Sequence, residues 1–537
     1  MEKIWLKSYP EGVPAEIDPG RYRSLVHMLD ESVARYRDRP AFCNMGRVVT
    51  YGELDRLTRD FAAFLQAECG LGKGERLAIM TPNLLQYPVA LFGGLRAGAT
   101  IVNVNPLYTA RELAHQLADA EVGAIVILEN FGHVLEECLG RVPVPRVITT
   151  RLGDMLGRPR GWLVDAVVKH VKGLVPPYRI AGEIRFPAAL ARGRAARFTP
   201  VELGHDDLAF LQYTGGTTGT AKGAMLSHRN MLANVEQATA WLSPIIEPGE
   251  EIIITALPLY HVFALTANCL TFVRIGGLNF LITNPRDMRG FVKSLQGVRF
   301  TGITGVNTLF NGLLNTRGFA ELDFSPLKMA LGGGAAVQRA VAERWKQVTG
   351  VTLVEAYGLT ETAPAVCINP MDLAQFNGSI GLPISSTECC IRDERGSELP
   401  IGEVGELCVR GPQVMAGYWR SPEETRACLD DDGWLRTGDI ARMDERGFVY
   451  IVDRKKDMIN VSGFNVYPNE IEAVVAAHPD VLEAGAIGVP DGVTGEAVKI
   501  IVVKRSPALT RESLDEHCRT RLTAYKRPSI VEFATEL

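Results

Sequence analysis

A glycine- and threonine-rich segment, residues 213–223, constrains the fold of this chain more than any other feature. It reads Tyr-Thr-Gly-Gly-Thr-Thr-Gly-Thr-Ala-Lys-Gly and follows residues 209–212, which have the apolar character of a buried strand. Glycines let backbone N–H groups turn inward, the threonines add hydroxyl donors, and Lys222 adds a cation. A strand that leads into such a loop predicts a polyphosphate site, with ATP as the ligand. The residues predicted to contact the nucleotide here are Tyr213, Thr214, Gly215, Gly216, Thr217, Thr218, Gly219, Thr220, Ala221, Lys222, Gly223 and Ala224.

Two other interpretations of this segment are weaker. The Walker A loop of P-loop kinases and GTPases needs Gly-Lys-Ser/Thr, whereas Lys222 lies between Ala221 and Gly223. A flexible surface loop would not require a buried strand before it, and residues 209–212 argue against that reading. A nucleotide site outside the P-loop class is therefore favoured.

Composition excludes several classes of protein. A chain of 537 residues with 46% hydrophobic content predicts a globular protein of two or more domains. A net charge of −5 without a long basic run disfavours nucleic-acid binding. Ten scattered cysteines without a C-x-x-C pair are typical of a reducing compartment. Because we find neither a signal-peptide pattern nor an apolar run long enough to span a bilayer, we expect a cytoplasmic protein.

Hydrophobic periodicity predicts an α/β fold. Strand patterns at 77–80, 100–103 and 124–128 alternate with helical patterns at 54–65 and 110–118, which is typical of parallel sheets with crossover helices. After Gly381 the pattern changes to short antiparallel hairpins, and after residues 453–457 to a compact α+β pattern. We predict a large N-terminal domain, residues 1–453, with two parallel-sheet α/β subdomains and a small β-barrel-like unit. Residues 454–537 are predicted to form a small α+β C-terminal domain.

Further motifs follow the glycine-rich segment in a fixed order. They are Leu-Pro-Leu-Tyr-His at 257–261, Gly-Gly-Gly at 332–334, Ala-Tyr-Gly-Leu-Thr-Glu at 356–361, Gly-Trp-Leu-Arg-Thr-Gly-Asp at 433–439, Asp-Arg-Lys-Lys-Asp at 453–457 and Ser-Gly-Phe-Asn at 462–465. In this order they resemble the adenylate-forming enzymes, and the whole chain resembles the bacterial long-chain fatty-acid–CoA ligases. The resemblance implies that a fatty acid and ATP form an acyl-adenylate, from which coenzyme A displaces AMP. The implied cofactors are ATP, Mg²⁺ and coenzyme A.

The resemblance also implies roles for individual residues. Lys222, His261, Glu361, Arg454 and Lys456 would be catalytic, with His261 near the carboxylate of the acid and Lys456 at a hinge that makes the C-terminal domain mobile. Glu361 would bind Mg²⁺, with the Thr217 hydroxyl nearby. The remaining residues implied in cofactor binding are Gly332, Gly333, Gly334 and Tyr357 for adenine, Gly358 and Thr360 next to them in the chain, Asp439 and Arg454 for ribose and phosphate, and Gly463 beside the pantetheine path.

Several of these residues have ordinary structural interpretations when they are taken alone. Tyr357 would then be a core aromatic residue and His261 a structural histidine, while Asp439 would be a turn residue. The order of the motifs favours the functional interpretation. One departure is that the family carries an adenylation lysine shortly after the stretch that ends here at Leu537. We expect the encoded protein to continue past this residue.

Three alternatives to a fatty-acid ligase are considered. A medium-chain or aryl acid–CoA ligase shares the core motifs, and a nucleotide-binding protein without catalysis would keep them too. The third is a membrane-interaction module, for which residues 162–175 offer apolar residues at helical spacing beside basic ones. An ordinary helix with its apolar face on the core is the commoner explanation of such a stripe. A homodimer and a peripheral position on the cytoplasmic face of the inner membrane are left open, and segment 305–310 is expected to line the acyl tunnel.

Overall fold

The computed structural model describes residues 2–214, 221–454, 457–461, 464–491 and 495–537. Its first part alternates helices and strands. The strands up to Thr214 are β1 (Pro40–Asn44), β2 (Arg47–Thr50), β3 (Arg76–Met80), β4 (Thr100–Asn103), β5 (Ala124–Leu128), β6 (Arg146–Thr150), β7 (Ile184–Arg185) and β8 (Leu208–Thr214). The helices of this part are α1 (Leu25–Tyr36), α2 (Tyr51–Cys69), α3 (Gln86–Arg96), α4 (Ala110–Asp119), α5 (Gly132–Leu139), α6 (Arg160–Ala166) and α7 (Phe186–Ala195).

The middle of the chain continues the same alternation. Its strands are β9 (Lys222–Ser227), β10 (Ile252–Thr255), β11 (Leu278–Leu281), β12 (Gly302–Gly305), β13 (Met329–Gly332), β14 (Leu353–Gly358), β15 (Ala365–Ile368) and β16 (Leu382–Pro383). Its helices are α8 (His228–Leu242), α9 (Thr271–Ile275), α10 (Met288–Leu295), α11 (Asn307–Leu314) and α12 (Arg339–Thr349).

The last part is richer in antiparallel strands. Its strands are β17 (Glu388–Arg392), β18 (Gly405–Arg410), β19 (Leu435–Met443), β20 (Val449–Arg454), β21 (Ile459–Val461), β22 (Phe464–Val466), β23 (Val481–Asp491), β24 (Gly495–Lys504) and β25 (Ile530–Ala534). Its helices are α13 (Pro422–Cys428), α14 (Pro468–Ala476) and α15 (Arg511–Arg519).

Two large sheets of mostly parallel strands confirm the predicted α/β class. One has the order β7-β6-β5-β3-β4-β8-β9, with only β9 antiparallel to its neighbour. The other has the order β16-β15-β14-β13-β12-β10-β11-β1-β2 and is parallel from β14 to β1. A four-stranded antiparallel sheet, β17-β18-β19-β20, follows, and the C-terminal residues form a separate small sheet around β24.

Local sequence explains where several of these helices begin and end. Thr109 accepts the backbone N–H of Glu112 and the Glu112 side chain accepts in return, so a capping box begins α4. Ser227 and Asn230 form the equivalent pair at the start of α8. Helix α2 ends at Gly70, whose φ of 67° is easily adopted only without a side chain. These signals place α8 directly after β9 and hence beside the predicted phosphate segment.

The segment around α6 differs from the expectation of a core-facing helix. Helix α6 continues into a π-helical turn at Val167–Val171, and Trp162, Leu163, Val167, Val171 and Leu174 are all exposed. The core explanation of this stripe is therefore wrong for most of its apolar residues. The segment contacts the rest of the protein through Gly161, which packs directly against Gly153.

A buried carboxyl group on β14 makes the stability of the fold depend on pH. Glu355 is 7% exposed and accepts the backbone N–H of Val337 at 2.8 Å. Burial raises its pKa from 4.5 to about 7, because the charged form loses water. Between these values the unfolded chain releases the proton and the folded chain keeps it, so stability falls as pH rises and the loss is complete above pH 7.

We expect Glu355→Gln to remove this loss. Relative to the parent, the variant should gain about 3 kcal/mol of unfolding free energy between pH 4.5 and pH 8, the equivalent of the pKa shift. Urea unfolding followed by tryptophan fluorescence at both pH values measures the difference. Glu343→Gln, at an exposed position on α12, is the control. An equal pH dependence in both variants would contradict the prediction.

Candidate active site

A cavity of about 670 Å³ opens where strands of both large sheets end. Thr214 at the end of β8 belongs to its wall, as do Gly333, directly after β13, and Gly358 at the end of β14. Ligands of open α/β sheets bind at the carboxyl ends of strands, and the volume falls within the roughly 300–1,000 Å³ of small-molecule sites. The polar and charged side chains of the wall are Thr214, Lys222, Asn234, His261, Thr266, Thr304, Tyr357, Thr360, Glu361, Glu406, Tyr418, Glu424, Arg436, Thr437 and Asp439.

The predicted phosphate segment contributes its two ends to this cavity. Strands β8 and β9 are antiparallel and pair Thr214 with Lys222, and both residues belong to the wall. The predicted contacts Gly215, Gly216, Thr217, Thr218, Gly219 and Thr220 lie outside the described residues.

The other predicted residues of this segment lie elsewhere. Tyr213 is buried and donates its hydroxyl to Asp119 on α4, so its side chain supports the sheet. Gly223 and Ala224 pair with the chain around Tyr418, and neither they nor Ala221 are in the cavity wall. Among the described residues of this segment, Thr214 and Lys222 line the cavity.

Lys222 and Glu361 each have a side-chain partner in the cavity. The Lys222 ammonium lies 2.5 Å from a carboxylate oxygen of Glu424 and 5.6 Å from the centre of the Tyr418 ring. The Tyr418 hydroxyl donates to Glu361 at 2.6 Å. Both partners come from the segment just before and inside α13, which the motif search did not single out.

The donor set around Glu361 fits a hard cation. Glu361 lies in a 3-10 turn, Thr360–Thr362, directly after β14, and its carboxylate reaches the cavity. Among the described residues, no group of three or more His, Cys, Asp or Glu side chains could hold a metal by itself. A single carboxylate suits Mg²⁺, which keeps several waters and takes further oxygen ligands from phosphate. Thr217, the other predicted ligand, lies outside the described residues.

The adenine and ribose predictions meet at one hydrogen bond. Tyr357 donates its hydroxyl to Asp439, and both side chains line the cavity. Burial and the negative charge of Asp439 raise the pKa of Tyr357, so the phenol stays protonated as a donor. Gly333 and Gly334 are in the wall, whereas Gly332 is not, and a Cβ there would meet Val337 at 2.5 Å.

A second carboxylate holds the turn that carries Asp439. Glu406 on β18 receives the backbone N–H of Gly438 at 3.2 Å and a guanidinium N–H of Arg436 at 2.9 Å. The Thr437 hydroxyl accepts the backbone N–H of Asp439 at 3.1 Å. These contacts fix the backbone at Asp439 and hence the orientation of its side chain. Glu406 and Arg436 were not among the sequence candidates.

His261 lies in the cavity wall, where it is reached by solvent yet closely surrounded by protein. This surrounding lowers its pKa, because the charged imidazolium would lose water. A neutral imidazole at pH 7 can lie near a substrate carboxylate and offer one N–H to it.

The apolar wall comes from parts of the chain other than the segment predicted for it. Residues 305–310 do not line the cavity, because Leu309 and Phe310 pack into a separate core cluster with Trp345. Thr304, one position earlier, does reach the wall. The apolar side chains of the wall are Ala238, Leu242, Val262, Phe263, Ala267, Met329, Leu331, Ala356, Leu359, Pro364, Ala365, Ile368, Met371, Ala427 and Cys428.

The C-terminal predictions are mostly beyond what the structure describes. The backbone of Arg454 pairs with Asp439 between β20 and β19, which brings this position beside the predicted ribose ligand. Lys456 and Gly463 lie outside the described residues. Among the described residues, none after Asp439 lines the cavity.

Comparison with known proteins agrees with this geometry. Residues 29–419 match the family described as AMP-binding enzyme, and residues 470–537 match the AMP-binding enzyme C-terminal domain. The long-chain-fatty-acid–CoA ligase of Escherichia coli O6:H1 is 59% identical over 537 residues, which are 100% of this chain and 96% of that protein.

Solved structures with a similar fold include two that cover nearly the whole of this chain. ATP-bound MatB from Rhodopseudomonas palustris has a TM-score of 0.77 and 28% identity, with 95% of each chain covered. The anthranilate CoA ligase AuaEII in complex with anthranoyl-AMP has a TM-score of 0.83 and 22% identity, with 97% of this chain and 96% of the other covered. The second likeness concerns the fold alone.

The position of Asp439 predicts its effect on nucleotide binding. We expect Asp439→Asn to weaken ATP binding about 10- to 100-fold, because a hydrogen bond to a charged group contributes about 1.5–3 kcal/mol. Calorimetric titration of the full chain with ATP and Mg²⁺ measures this loss. Asp431→Asn, an exposed change in the turn before β19, should leave the affinity within twofold. Equal affinity of Asp439→Asn and the parent would exclude Asp439 from the nucleotide site.

Proposed function

Because the chain belongs to the AMP-binding enzyme family, we infer that it activates long-chain fatty acids to acyl-CoA through an acyl-adenylate, releasing AMP and pyrophosphate. The observation that carries this conclusion is the 59% identity, over the whole chain, to a long-chain-fatty-acid–CoA ligase. The cavity supports it, since many apolar side chains line it together with cations, carboxylates and hydroxyls. ATP, Mg²⁺ and coenzyme A are the cofactors.

The chemistry explains why such side chains are needed. A carboxylate has no good leaving group, so an oxygen of the acid attacks the α-phosphorus of ATP and pyrophosphate departs. The thiol of coenzyme A then attacks the acyl carbonyl, and AMP departs with the bonding electrons. The first step depends on positioning and on neutralising phosphate charge rather than on covalent help from the protein.

We assign the residues of the cavity to this reaction as follows. Lys222 neutralises charge on the phosphates, and Glu361 would hold Mg²⁺, which supplies the remaining positive charge when it is bound. Asp439 accepts hydrogen bonds from the ribose hydroxyls. Its orientation is fixed by the hydrogen bond from Tyr357 and by the turn at Gly438. Neutral His261 orients the acid. Thr217, Arg454, Lys456 and Gly463 keep the roles predicted from the sequence.

Other acids are less well supported as substrates. An aryl acid–CoA ligase shares the fold, as the likeness to the anthranilate ligase illustrates, but that likeness is at 22% identity. A protein that binds nucleotide without catalysis would have no use for the many apolar side chains that line this cavity. Each CH₂ buried against the apolar lining contributes about 0.8 kcal/mol, or roughly fourfold in affinity. The affinity is therefore expected to increase steadily with the length of the acyl chain.

The proposed activity can be tested directly. The full protein is expected to release AMP only when a long-chain fatty acid, ATP, Mg²⁺ and coenzyme A are all present. Palmitate and oleate should exceed acetate and benzoate in kcat/KM by at least 100-fold, because many CH₂ groups are buried. Coupled detection of AMP with each acid measures this. A better rate with acetate or benzoate would overturn the fatty-acid assignment.

We also propose that the exposed segment 158–174 contacts a lipid surface from which the substrate is taken. Trp162 and Leu163 are 60% and 65% exposed, and Val171 is 78% exposed. The cations Arg158, Arg160, Lys169 and Lys172 accompany them, and Arg158 stacks on the Trp162 ring at 4.7 Å. The acid of this stretch, Asp165, turns inward to accept the backbone N–H of Gly153 at 2.7 Å.

Such a combination of exposed apolar and cationic residues is typical of interfacial helices on anionic membranes. Of the helices that the structure describes, none has the length and apolarity of a bilayer-crossing segment. A peripheral contact is therefore the form of membrane association that we propose. A homodimer stays a prediction. Sedimentation of the purified protein measures the oligomeric state and tests it.

Replacement of two exposed residues tests the lipid contact. We expect Val171→Asp with Leu174→Asp to reduce co-sedimentation with vesicles of phosphatidylglycerol and phosphatidylcholine about tenfold or more, since two apolar side chains lose their burial and two negative charges are added. The matched control is Ile401→Asp with Val404→Asp, two exposed apolar residues in the turn between β17 and β18. Equal vesicle binding by both folded double variants would remove segment 158–174 from the proposal.

A further inference from the structure

One short segment, residues 415–425, supplies partners to both charged groups of the predicted phosphate and metal site. Glu424 pairs with Lys222 at 2.5 Å, and Tyr418 donates to Glu361 at 2.6 Å. The backbone N–H of Met415 also donates to the carbonyl of Glu361 at 2.8 Å. Lys222 is the cation that the proposed function assigns to the polyphosphate. In this structure it already forms an ion pair with Glu424.

The backbone of this segment is tied to the strand that carries Lys222. Trp419 donates its backbone N–H to Gly223 at 2.8 Å, and Met225 donates its own to Gly417 at 2.9 Å. An antiparallel bridge pairs Ala224 with Tyr418. Because β9 starts at Lys222, these bonds hold residues 416–419 at a set distance from the base of the lysine side chain.

Helix α13 then directs Glu424 back toward the cavity. The Thr425 hydroxyl accepts the backbone N–H of Tyr418 at 2.9 Å, and the Thr425 N–H donates to Ser421 at 3.0 Å. This closes the turn between residues 418 and 425. Glu424 consequently lies in the cavity wall, whereas the adjacent Glu423 is exposed and outside it.

We propose that Glu424 is a built-in counter-ion that competes with polyphosphate for Lys222. The inference rests on the proposed function, in which Lys222 binds the phosphates of ATP. The Lys222 side chain is only 16% exposed, and a cation so far withdrawn from water is stabilised by an anion. Glu424 supplies that anion before ATP binds, and the Lys222–Glu424 ion pair forms again when pyrophosphate dissociates.

The competition sets how tightly polyphosphates are held. An incoming phosphate must separate Lys222 from Glu424 or share it, and it also meets the negative charge of Glu424 itself. Glu424 therefore lowers the affinity for ATP and for pyrophosphate and speeds the release of pyrophosphate. Since its side chain is 44% exposed, solvent screens part of this effect.

Calorimetric titration with ATP and with pyrophosphate, each with Mg²⁺, tests the inference on the full chain without turnover. We expect Glu424→Gln to bind both ligands about three- to tenfold more tightly, as fits a partly screened charge pair. The neighbouring Glu423→Gln removes the same charge one position away and should change either affinity by less than twofold. In stopped-flow measurements Glu424→Gln should release pyrophosphate more slowly than the parent.

A double-mutant cycle identifies Lys222 as the group through which Glu424 acts. In a Lys222→Met background, Glu424→Gln should raise the pyrophosphate affinity clearly less than it does in the parent, because only the direct repulsion between Glu424 and the phosphate remains to be removed. Glu424→Asp, which keeps the charge on a shorter side chain, should lie between the parent and Glu424→Gln. Circular dichroism and thermal unfolding of every variant check that the fold is intact.

Three outcomes would overturn the inference while leaving the proposed function in place. They are an equal effect of Glu423→Gln and Glu424→Gln, an undiminished effect of Glu424→Gln in the Lys222→Met background, and weaker binding by Glu424→Gln. Failure of the unaltered chain to bind ATP with Mg²⁺ would instead overturn the proposed function, and the inference with it.

Discussion

Parallel strands all end at the same edge of their sheet, and this constraint brings the functional residues of the chain together. β8 ends at Thr214 in one sheet, while β13 and β14 end at Gly332 and Gly358 in the other. The residues at or just after these ends open into one cavity. A site assembled at strand ends has a rigid frame, since each strand is hydrogen-bonded to its neighbours along its length. The loops that follow can then carry chemistry without having to build the frame.

The charged groups of the cavity depend on this frame, because withdrawing them from water is costly unless they have partners. Lys222 has Glu424, Glu361 has the Tyr418 hydroxyl, and Asp439 has the Tyr357 hydroxyl. Each pair joins two segments that are far apart in the chain. A charged ligand that binds here has to rearrange or share these pairs.

Local patterns predicted much of the fold. Strands β4 and β5 begin and end at the predicted residues, since each is a short and mostly apolar run between two helices. The pattern was less informative at the surface. The apolar stripe of segment 158–174 has helical spacing, yet Val171 and Leu174 face solvent, because the short helix is attached through Gly161 and Asp165 on its other side. Periodicity identifies an apolar face, and it does not say what covers that face.

The sequence by itself predicted a phosphate site from the glycines, hydroxyls and Lys222 of one segment, and the order of the later motifs added Glu361 and Asp439 through the family resemblance. It also determined the α/β class through the alternation of strand and helix patterns. Only the tertiary structure decided which side chains meet these residues. Tyr418 and Glu424 reach Glu361 and Lys222 across 57 and about 200 positions of the chain, a distance over which spacing carries no information. The origin of the apolar lining could not be predicted for the same reason: it comes from distant parts of the chain, whereas Leu309 and Phe310 pack toward Trp345.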